Sequence, residues 1–454
     1  MNHSRILIPS GALGLGWDQD ALERGLDLKP DLIAIDGGST DSGPSYLGRG
    51  VSKYSRASTK REWAALLDAR ARAGVPLVIG TAGTCGAGSA VDWLVEITEE
   101  ILTETGQSAK LAILKSDQDA RQLSDALQTG SVSPLSPAPA VDEALLESCT
   151  NIVALAGAEQ IQAALNTGAD IIIAGRTTDT AIIAALPLAQ GCHAGAAWHG
   201  AKIGECGALC ATNPQSGVIL IDFDEAGFTV TPLADGANAT PHTVSAHMLY
   251  ENSDPFILYE PGGHLDVRSA EYIALDERRV RVEGSKWVPG PYTVKLEGAR
   301  VAGYQVVTLA LLRDRRYVTH AAEWCADIEA KCSEKVLQRL GLTRNDFSIE
   351  LRRIGSDATF GSLERRVSDP TEIGVLGLVT ALDPDTAMEV AKMLNPYLLH
   401  HPLTQEEEVP TFAFPFSPAE VSRGEIYEFC LNHILHIDDP MSVFELSVRE
   451  VGHA

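Results

Sequence analysis

Residues 32–44 read Leu32-Ile33-Ala34-Ile35-Asp36-Gly37-Gly38-Ser39-Thr40-Asp41-Ser42-Gly43-Pro44. The first four residues are a short apolar run, which predicts a buried strand. The glycines that follow allow close approach of the backbone to a ligand, and the two central hydroxyl side chains can donate or accept hydrogen bonds. In open α/β sheets, ligands bind outside the carboxyl ends of the strands. The stretch is therefore either a binding loop or an ordinary turn between a strand and a helix.

Similar buried segments recur along the first part of the chain, with helical patterns between them. They lie at residues 5–10, 76–80, 111–114, 151–157 and 170–175. Strands that alternate with helices favour parallel pairing. The pattern predicts an α/β fold with a doubly wound, mostly parallel sheet in a large N-terminal domain.

Two more of these strands end in loops with the same chemistry. Gly83 and Thr84 follow one strand, and Arg176, Thr177 and Asp179 follow another. Because the carboxyl ends of parallel strands meet at one edge, we expect the three loops to line one cleft. The arginine could hold a carboxylate or phosphate, while the aspartate could orient it, accept a proton or cap the next helix.

Residues 198–208 (WHGAKIGECGA) are dense in reactive side chains. Cys206 could be a nucleophile if a cation such as Lys202 stabilised its thiolate, or it could be an inert buried thiol. His247 and Glu251 are four residues apart, so a helix would place them on one face. There they could supply two metal ligands or form a simple hydrogen bond.

The patterning changes after about residue 288. Strands predicted at 293–297, 305–311, 347–354 and 372–381 alternate in polarity, with helices at about 315–340 and 384–395. This pattern predicts a smaller α+β domain with a mainly antiparallel sheet. We therefore expect a domain over 1–288, which carries the ligand cleft, and a second over 289–454.

Composition limits the possible partners and compartments. The 36 Lys and Arg residues against 61 Asp and Glu residues give a net charge of −25, which argues against nucleic acid as a partner. No run of 18 apolar residues predicts a membrane span, and the first residues do not resemble a signal peptide. None of the eight cysteines forms a C-x-x-C pair. We expect a cytoplasmic protein with reduced thiols.

Several sequence blocks resemble the acyclic terpene utilisation (AtuA-like) family, formerly a domain of unknown function. They include DGGSTD at 36–41, IAGRTTD at 173–179, the block at 198–208, AHMLYEN at 246–252, DERRV at 276–280 and FPFSP at 414–418. The resemblance implies a role in degrading citronellol- and geraniol-type compounds through acyl-CoA intermediates. It also implies a small companion domain, which we expect as a separate subunit, but it supplies no established catalytic residues.

These observations predict a catabolic enzyme that acts on a small or branched carboxylic acid, or its acyl-CoA, by acid–base chemistry of the hydratase, lyase or isomerase type. The predicted acid and base groups are Asp36, Asp41, Asp179 and Glu205. The predicted substrate-binding residues are Gly37, Gly38, Ser39, Thr40, Gly83, Thr84, Arg176 and Thr177. Alternatives are a non-catalytic ligand-binding subunit, or a hydrolase that uses Cys206 or a metal. Cofactor and metal stay unassigned, and a homo-oligomer is expected.

Overall fold

The computed structural model describes residues 2–366 and 369–452, which form a mixed α/β structure with several sheets. No sheet closes into a barrel within these described ranges.

The chain divides into two compact units, Met1–Arg300 with Phe429–Ala454, and Val301–Glu428. The last strands thus belong to the first unit. The expected division into domains at 288/289 stays a prediction, because compactness does not test whether either part folds by itself.

Twenty strands are found in the described residues. They are β1 Ser4–Ile8, β2 Leu32–Asp36, β3 Leu77–Gly80, β4 Ala109–Lys115, β5 Val132–Pro134, β6 Cys149–Ala154, β7 Ile171–Ala174, β8 Ile219–Phe223, β9 Gly227–Pro232, β10 Ile257–Glu260, β11 Gly263–Asp266, β12 Glu271–Ala274, β13 Val280–Glu283, β14 Lys286–Pro289, β15 Thr293–Leu312, β16 Phe347–Ile354, β17 Ile373–Ala381, β18 Val421–Phe429, β19 His433–His436 and β20 Glu445–Val451.

Thirteen α-helices are found in the same described ranges. They are α1 Gln19–Asp27, α2 Pro44–Arg49, α3 Arg56–Ala73, α4 Gly88–Thr105, α5 Ala120–Gln128, α6 Glu143–Ser148, α7 Ala158–Leu165, α8 Ala181–Ala189, α9 Ala194–Gly204, α10 Pro241–His247, α11 Arg315–Thr319, α12 Ala321–Leu340 and α13 Pro384–His400.

The largest sheet contains a parallel centre with antiparallel strands on both sides. Its order is β12-β13-β9-β8-β1-β2-β3-β7-β4-β20. The strands from β1 to β4 in this order pair in parallel, whereas β8 on one side and β20 on the other pair antiparallel. The α/β class is confirmed. The expectation of a doubly wound, mostly parallel sheet is not confirmed, because the chain adds antiparallel strands at both edges of the parallel run.

Both faces of the parallel centre are covered by apolar side chains. Along β2, Leu32 and Ala34 pack into one core with residues of α7, α8 and α9. Ile33 and Ile35 pack into another core with residues of α1, α3 and α4. A strand that is buried on both faces has a continuous apolar sequence, and for this reason the sequence predicts these strands.

Two strand assignments differ from the expectation. β6 does not join the parallel centre but pairs antiparallel with β15, where Glu297 lies opposite Val153. The strands expected at 293–297 and 305–311 are one strand, β15, and the helix expected at 315–340 is divided into α11 and α12. An apolar pattern reports that a strand is buried, but it does not say which strand is the partner.

The second unit is an antiparallel arrangement with helices packed against it. β17 pairs with β16 and with Tyr304–Leu312 of β15. Alternate residues of β17 are buried, and they pack with apolar residues of α12 and α13. The alternation predicted from the sequence therefore corresponds to a sheet that buries one face.

None of the helices in the described ranges is both long enough and apolar enough to cross a membrane.

A substitution at Gly37 tests how tightly the loop after β2 packs. A Cβ atom there would lie 2.4 Å from the carbonyl oxygen of Thr81 and 2.8 Å from that of Gly80. Backbone oxygens cannot rotate away, so Gly37→Ala should lower the free energy of unfolding by about 1–3 kcal/mol. In the control Gly290→Ala, the nearest atom is 3.7 Å away, and we expect a change below about 1 kcal/mol. Urea denaturation measures both, and equal effects would contradict the close packing.

Candidate functional site

A cavity of about 630 Å³ lies beside the carboxyl ends of β1, β2 and β7 in the first unit. Its volume is in the range of roughly 300–1,000 Å³ that is usual for ligand pockets. The four carboxyl residues predicted from the sequence, Asp36, Asp41, Asp179 and Glu205, all line it. The loops that follow β1, β2 and β7 and the end of α9 thus meet at one cavity, whereas the loop after β3, which was expected to share the cleft, does not line it.

The predicted binding residues divide into two groups. Gly38 and Ser39 line the cavity. The others are buried and do not line it; they are Gly37, Thr40, Gly83, Thr84, Arg176 and Thr177. The second group lies in the packed structure that supports the loops.

Arg176 is 6% exposed, and its guanidinium is held entirely by neighbouring groups. Its Nε and Nη2 donate to the two carboxylate oxygens of Glu297, at 3.0 and 3.3 Å. Nη2 also donates to Thr40 Oγ1, and Nη1 donates to Thr81 Oγ1 and to the Thr177 carbonyl. A guanidinium has five N–H groups, and five bonds are formed here. This geometry favours a positioning role over the predicted role as a substrate clamp.

Glu297 is the partner that sequence reasoning missed. Burial opposes its ionisation, but the Arg176 guanidinium, the Lys295 ammonium and the Thr40 hydroxyl outweigh burial and lower the pKa of Glu297 to about 2. The local sequence, Val294-Lys295-Leu296-Glu297-Gly298, alternates apolar and charged residues and so predicts a half-exposed strand, with no sign that Glu297 is buried. A charge in a buried strand is seldom found without a partner.

Asp36 and Asp179 are two acids in one cavity with different surroundings. Burial, and then the charge of Asp179, raise the pKa of Asp36 well above its ordinary value, against the effect of Arg176. Burial also raises the pKa of Asp179, although Arg176 Nη1 lies 3.6 Å from its Oδ1. Such a pair titrates as a unit and can hold one proton between two groups.

The outer part of the cavity is more polar and more exposed. Ser39 Oγ donates a hydrogen bond to Asp41 Oδ2, and Asp41 is exposed. Lys53, for which the sequence predicts no role, lines the cavity and donates from Nζ to Ser42 Oγ at 3.1 Å. Among the described residues that line the cavity, Lys53 is the single lysine or arginine. The sequence places it among serine and tyrosine residues after α2.

Glu205 follows the last residue of α9 and is 8% exposed. Lys202 Nζ, one turn earlier, donates to Glu205 Oε1. Burial nevertheless raises the pKa of Glu205 to about 8, with the Asp179 charge adding to the effect.

Burial, together with the charges of Glu205 and Asp179, likewise raises the pKa of the Cys206 thiol far above its ordinary value. A free thiolate is therefore disfavoured, and so is the alternative of an unassisted Cys206 nucleophile.

The expected pairing of His247 with Glu251 does not arise from a helix face. α10 ends at His247, and Glu251 lies in the following turn with φ of 50°. Instead, His247 approaches Glu205 and Cys206, with one ligand atom of each within 4.8 Å of the others. Burial lowers the pKa of His247 to about 4, so its imidazole is neutral at physiological pH.

Removing the Arg176 cation tests the buried ion pair. Arg176→Met would leave the buried Glu297 carboxylate without its two-point partner and with Lys295, whose Nζ lies 3.5 Å from Oε1, as its remaining cation among the described residues. This should lower the free energy of unfolding by about 3–5 kcal/mol. Arg176→Met combined with Glu297→Gln removes the lone charge and should recover most of that loss. The control Arg279→Met breaks an exposed pair with Asp276 and should change stability by less than about 1 kcal/mol. Equal losses in the single and double variants would contradict this account.

Asp36→Asn tests the burial of the carboxyl group. Because the pKa of Asp36 is raised on folding, the native state binds more protons, and its contribution to stability falls as pH rises above about 3.9. The variant lacks this term, so we expect its stability relative to wild type to increase between pH 4 and pH 7. Asp41→Asn removes an exposed carboxyl group of the same loop and is the control for the loss of one negative charge. Thermal unfolding across pH measures the difference, and parallel curves for wild type and Asp36→Asn would contradict it.

Comparison with known proteins gives a family. The model for the acyclic terpene utilisation family protein AtuA matches residues 51–211 and 212–415. These ranges include Asp179, Glu205, Cys206 and His247, whereas the loop after β2 precedes them. Comparisons with curated proteins and with solved structures gave no match. Because the family model covers most of the chain, this protein belongs to the acyclic terpene utilisation AtuA family.

Proposed function

We propose that this protein is a catabolic enzyme that transfers protons at a small or branched carboxylic acid, or at its acyl-CoA thioester. The reaction would be of the hydratase, lyase or isomerase type. One observation carries the proposal: Asp36 and Asp179 line the same cavity, and the pKa of each is raised. Carboxyl groups with raised pKa values are suited to act as acid and base near neutral pH.

The two aspartates receive different roles from their surroundings. Asp179 lies beside the Arg176 guanidinium, which favours its ionised form, so we assign it as the base. Asp36 accepts a hydrogen bond from the Gly37 backbone and, among the described residues, forms no ion pair with a cation, so we assign it as the acid. Arg176 acts on the reaction through Asp179 and is a positioning residue.

The wall of the cavity fits a substrate with an apolar chain and a charged end. Leu15 and Leu209 line it with side chains that are 65% and 40% exposed. Lys53 lies at the same opening and could pair with a carboxylate or a phosphate. The family description, acyclic terpene utilisation, is consistent with catabolism of branched compounds and supports this class of substrate.

Deuterium exchange provides a test that does not depend on the exact reaction. The purified protein is incubated in heavy water with branched short-chain acids and with their coenzyme A thioesters. Proton abstraction beside the carbonyl group should place deuterium in the acyl chain, which mass spectrometry detects. We expect Asp179→Asn to slow exchange by at least about a hundredfold, in line with general base catalysis.

The control is Asp235→Asn, whose side chain is 91% exposed and outside the cavity; it should exchange at the wild-type rate. Ligand binding by calorimetry without any exchange would reject the enzymatic proposal and favour the binding-subunit alternative. Equal exchange by wild type and Asp179→Asn would reject the assigned base.

The homo-oligomer and the companion subunit remain proposals, and size measurement of the same preparation tests both.

A further inference from the structure

Three potential metal ligands converge at the wall of the cavity. A carboxylate oxygen of Glu205, the Sγ atom of Cys206 and an imidazole nitrogen of His247 all lie within 4.8 Å of one another. Glu205 and Cys206 directly follow α9, and His247 is the last residue of α10. The packing of two helix ends thus brings together residues that are more than forty positions apart in the sequence.

His247 supplies an independent indication that a ligand belongs here. The residue is 4% exposed, and its Nε2 atom has no hydrogen-bond partner among the described residues. A buried polar atom without a partner is costly, by about 1–3 kcal/mol, and native proteins seldom leave one unexplained. The ring stacks on Tyr250 with centroids 5.4 Å apart, which fixes the plane of the imidazole.

Carboxyl groups outnumber ammonium groups around the cluster. The groups whose charges act on Cys206 are the carboxyls of Glu205, Asp179 and Glu251 and the ammonium of Lys202. Three carboxyl groups and one lysine ammonium therefore surround the cluster. Lys202 also bonds to one oxygen of Glu205, and an outer partner of this kind orients a ligating carboxylate.

We propose that Glu205, Cys206 and His247 bind one divalent transition-metal ion, for which zinc has the best-matched chemistry. Sulfur, imidazole nitrogen and carboxylate oxygen are the ligands that zinc takes in proteins. Three protein ligands leave a fourth position, the arrangement of catalytic zinc sites. Glu205 and Cys206 line the cavity, so the fourth position faces it.

The metal site is independent of the acid–base proposal. In it, Glu205 is a metal ligand instead of the acid or base predicted from the sequence. The ion would offer a Lewis acid to a carbonyl or carboxylate oxygen of a substrate in the cavity. Asp36 and Asp179 keep their assigned roles whether or not the ion is bound.

Cobalt binding to the full chain tests the site without an activity assay. The protein is treated with a chelator, and Co²⁺ or Zn²⁺ is then added in increments. We expect one equivalent to bind, with a charge-transfer absorption from the Cys206 thiolate to cobalt. Cys206→Ser should abolish that absorption, and His247→Gln should weaken binding by at least about tenfold. Cys210→Ala is the matched control, because Cys210 lies four residues away, outside the cluster, and should leave both unchanged.

Thermal unfolding with and without Zn²⁺ gives a second readout. A ligand that binds only the folded state raises the melting temperature, so zinc should stabilise wild type and Cys210→Ala but not His247→Gln. Circular dichroism confirms that each variant is folded. Absence of stoichiometric binding, or equal binding by wild type and both cluster variants, would overturn the metal site. The two proposals can fail separately. If the protein binds no metal but still exchanges deuterium after treatment with a chelator, the metal proposal is rejected and the acid–base proposal is kept.

Discussion

The ion pair between Arg176 and Glu297 is the interaction on which the cavity depends. Its guanidinium reaches the loops that follow β2, β3 and β7, through Thr40, Thr81 and Thr177, and its carboxylate partner comes from β15. A buried ion pair adds little net stability compared with apolar packing, but breaking it is severely destabilising. The pair therefore acts less as a source of stability than as a constraint. It fixes where the strand ends lie, and with them the carboxyl groups of the cavity.

That constraint has an electrostatic consequence. Asp36 and Asp179 are held close enough for the charge of one to raise the pKa of the other, in surroundings where burial already disfavours ionisation. Folding alone would not select such an arrangement, since each buried acid lowers stability at neutral pH. Groups with strongly shifted pKa values cluster at functional sites for this reason. Near the same cavity, His247 and Cys206 add a neutral imidazole and a thiol, which places the proposed metal site beside the proposed acid–base pair.

Sequence reasoning located the loops better than it assigned the roles of their side chains. The sequence predicts Asp36 and Asp179 as site residues because one ends a fully buried strand and the other lies in the loop after one. Arg176 is predicted as a binding residue for the same reason, but its donors are all used within the protein, which the sequence could not show without Glu297. His247 was paired with Glu251 by helical spacing, yet α10 ends at His247 itself. Spacing along the chain predicts neighbours only while one regular element continues.

The sequence by itself determined the α/β class, most strand positions and the family, because apolar periodicity and local motifs are properties of short segments. Only the tertiary structure decided that β6 pairs with β15, that Glu297 faces Arg176, and that His247 lies beside Cys206. Each of these contacts joins residues far apart in the chain. Their formation depends on the packing of whole helices and strands against one another, and no local pattern encodes that packing.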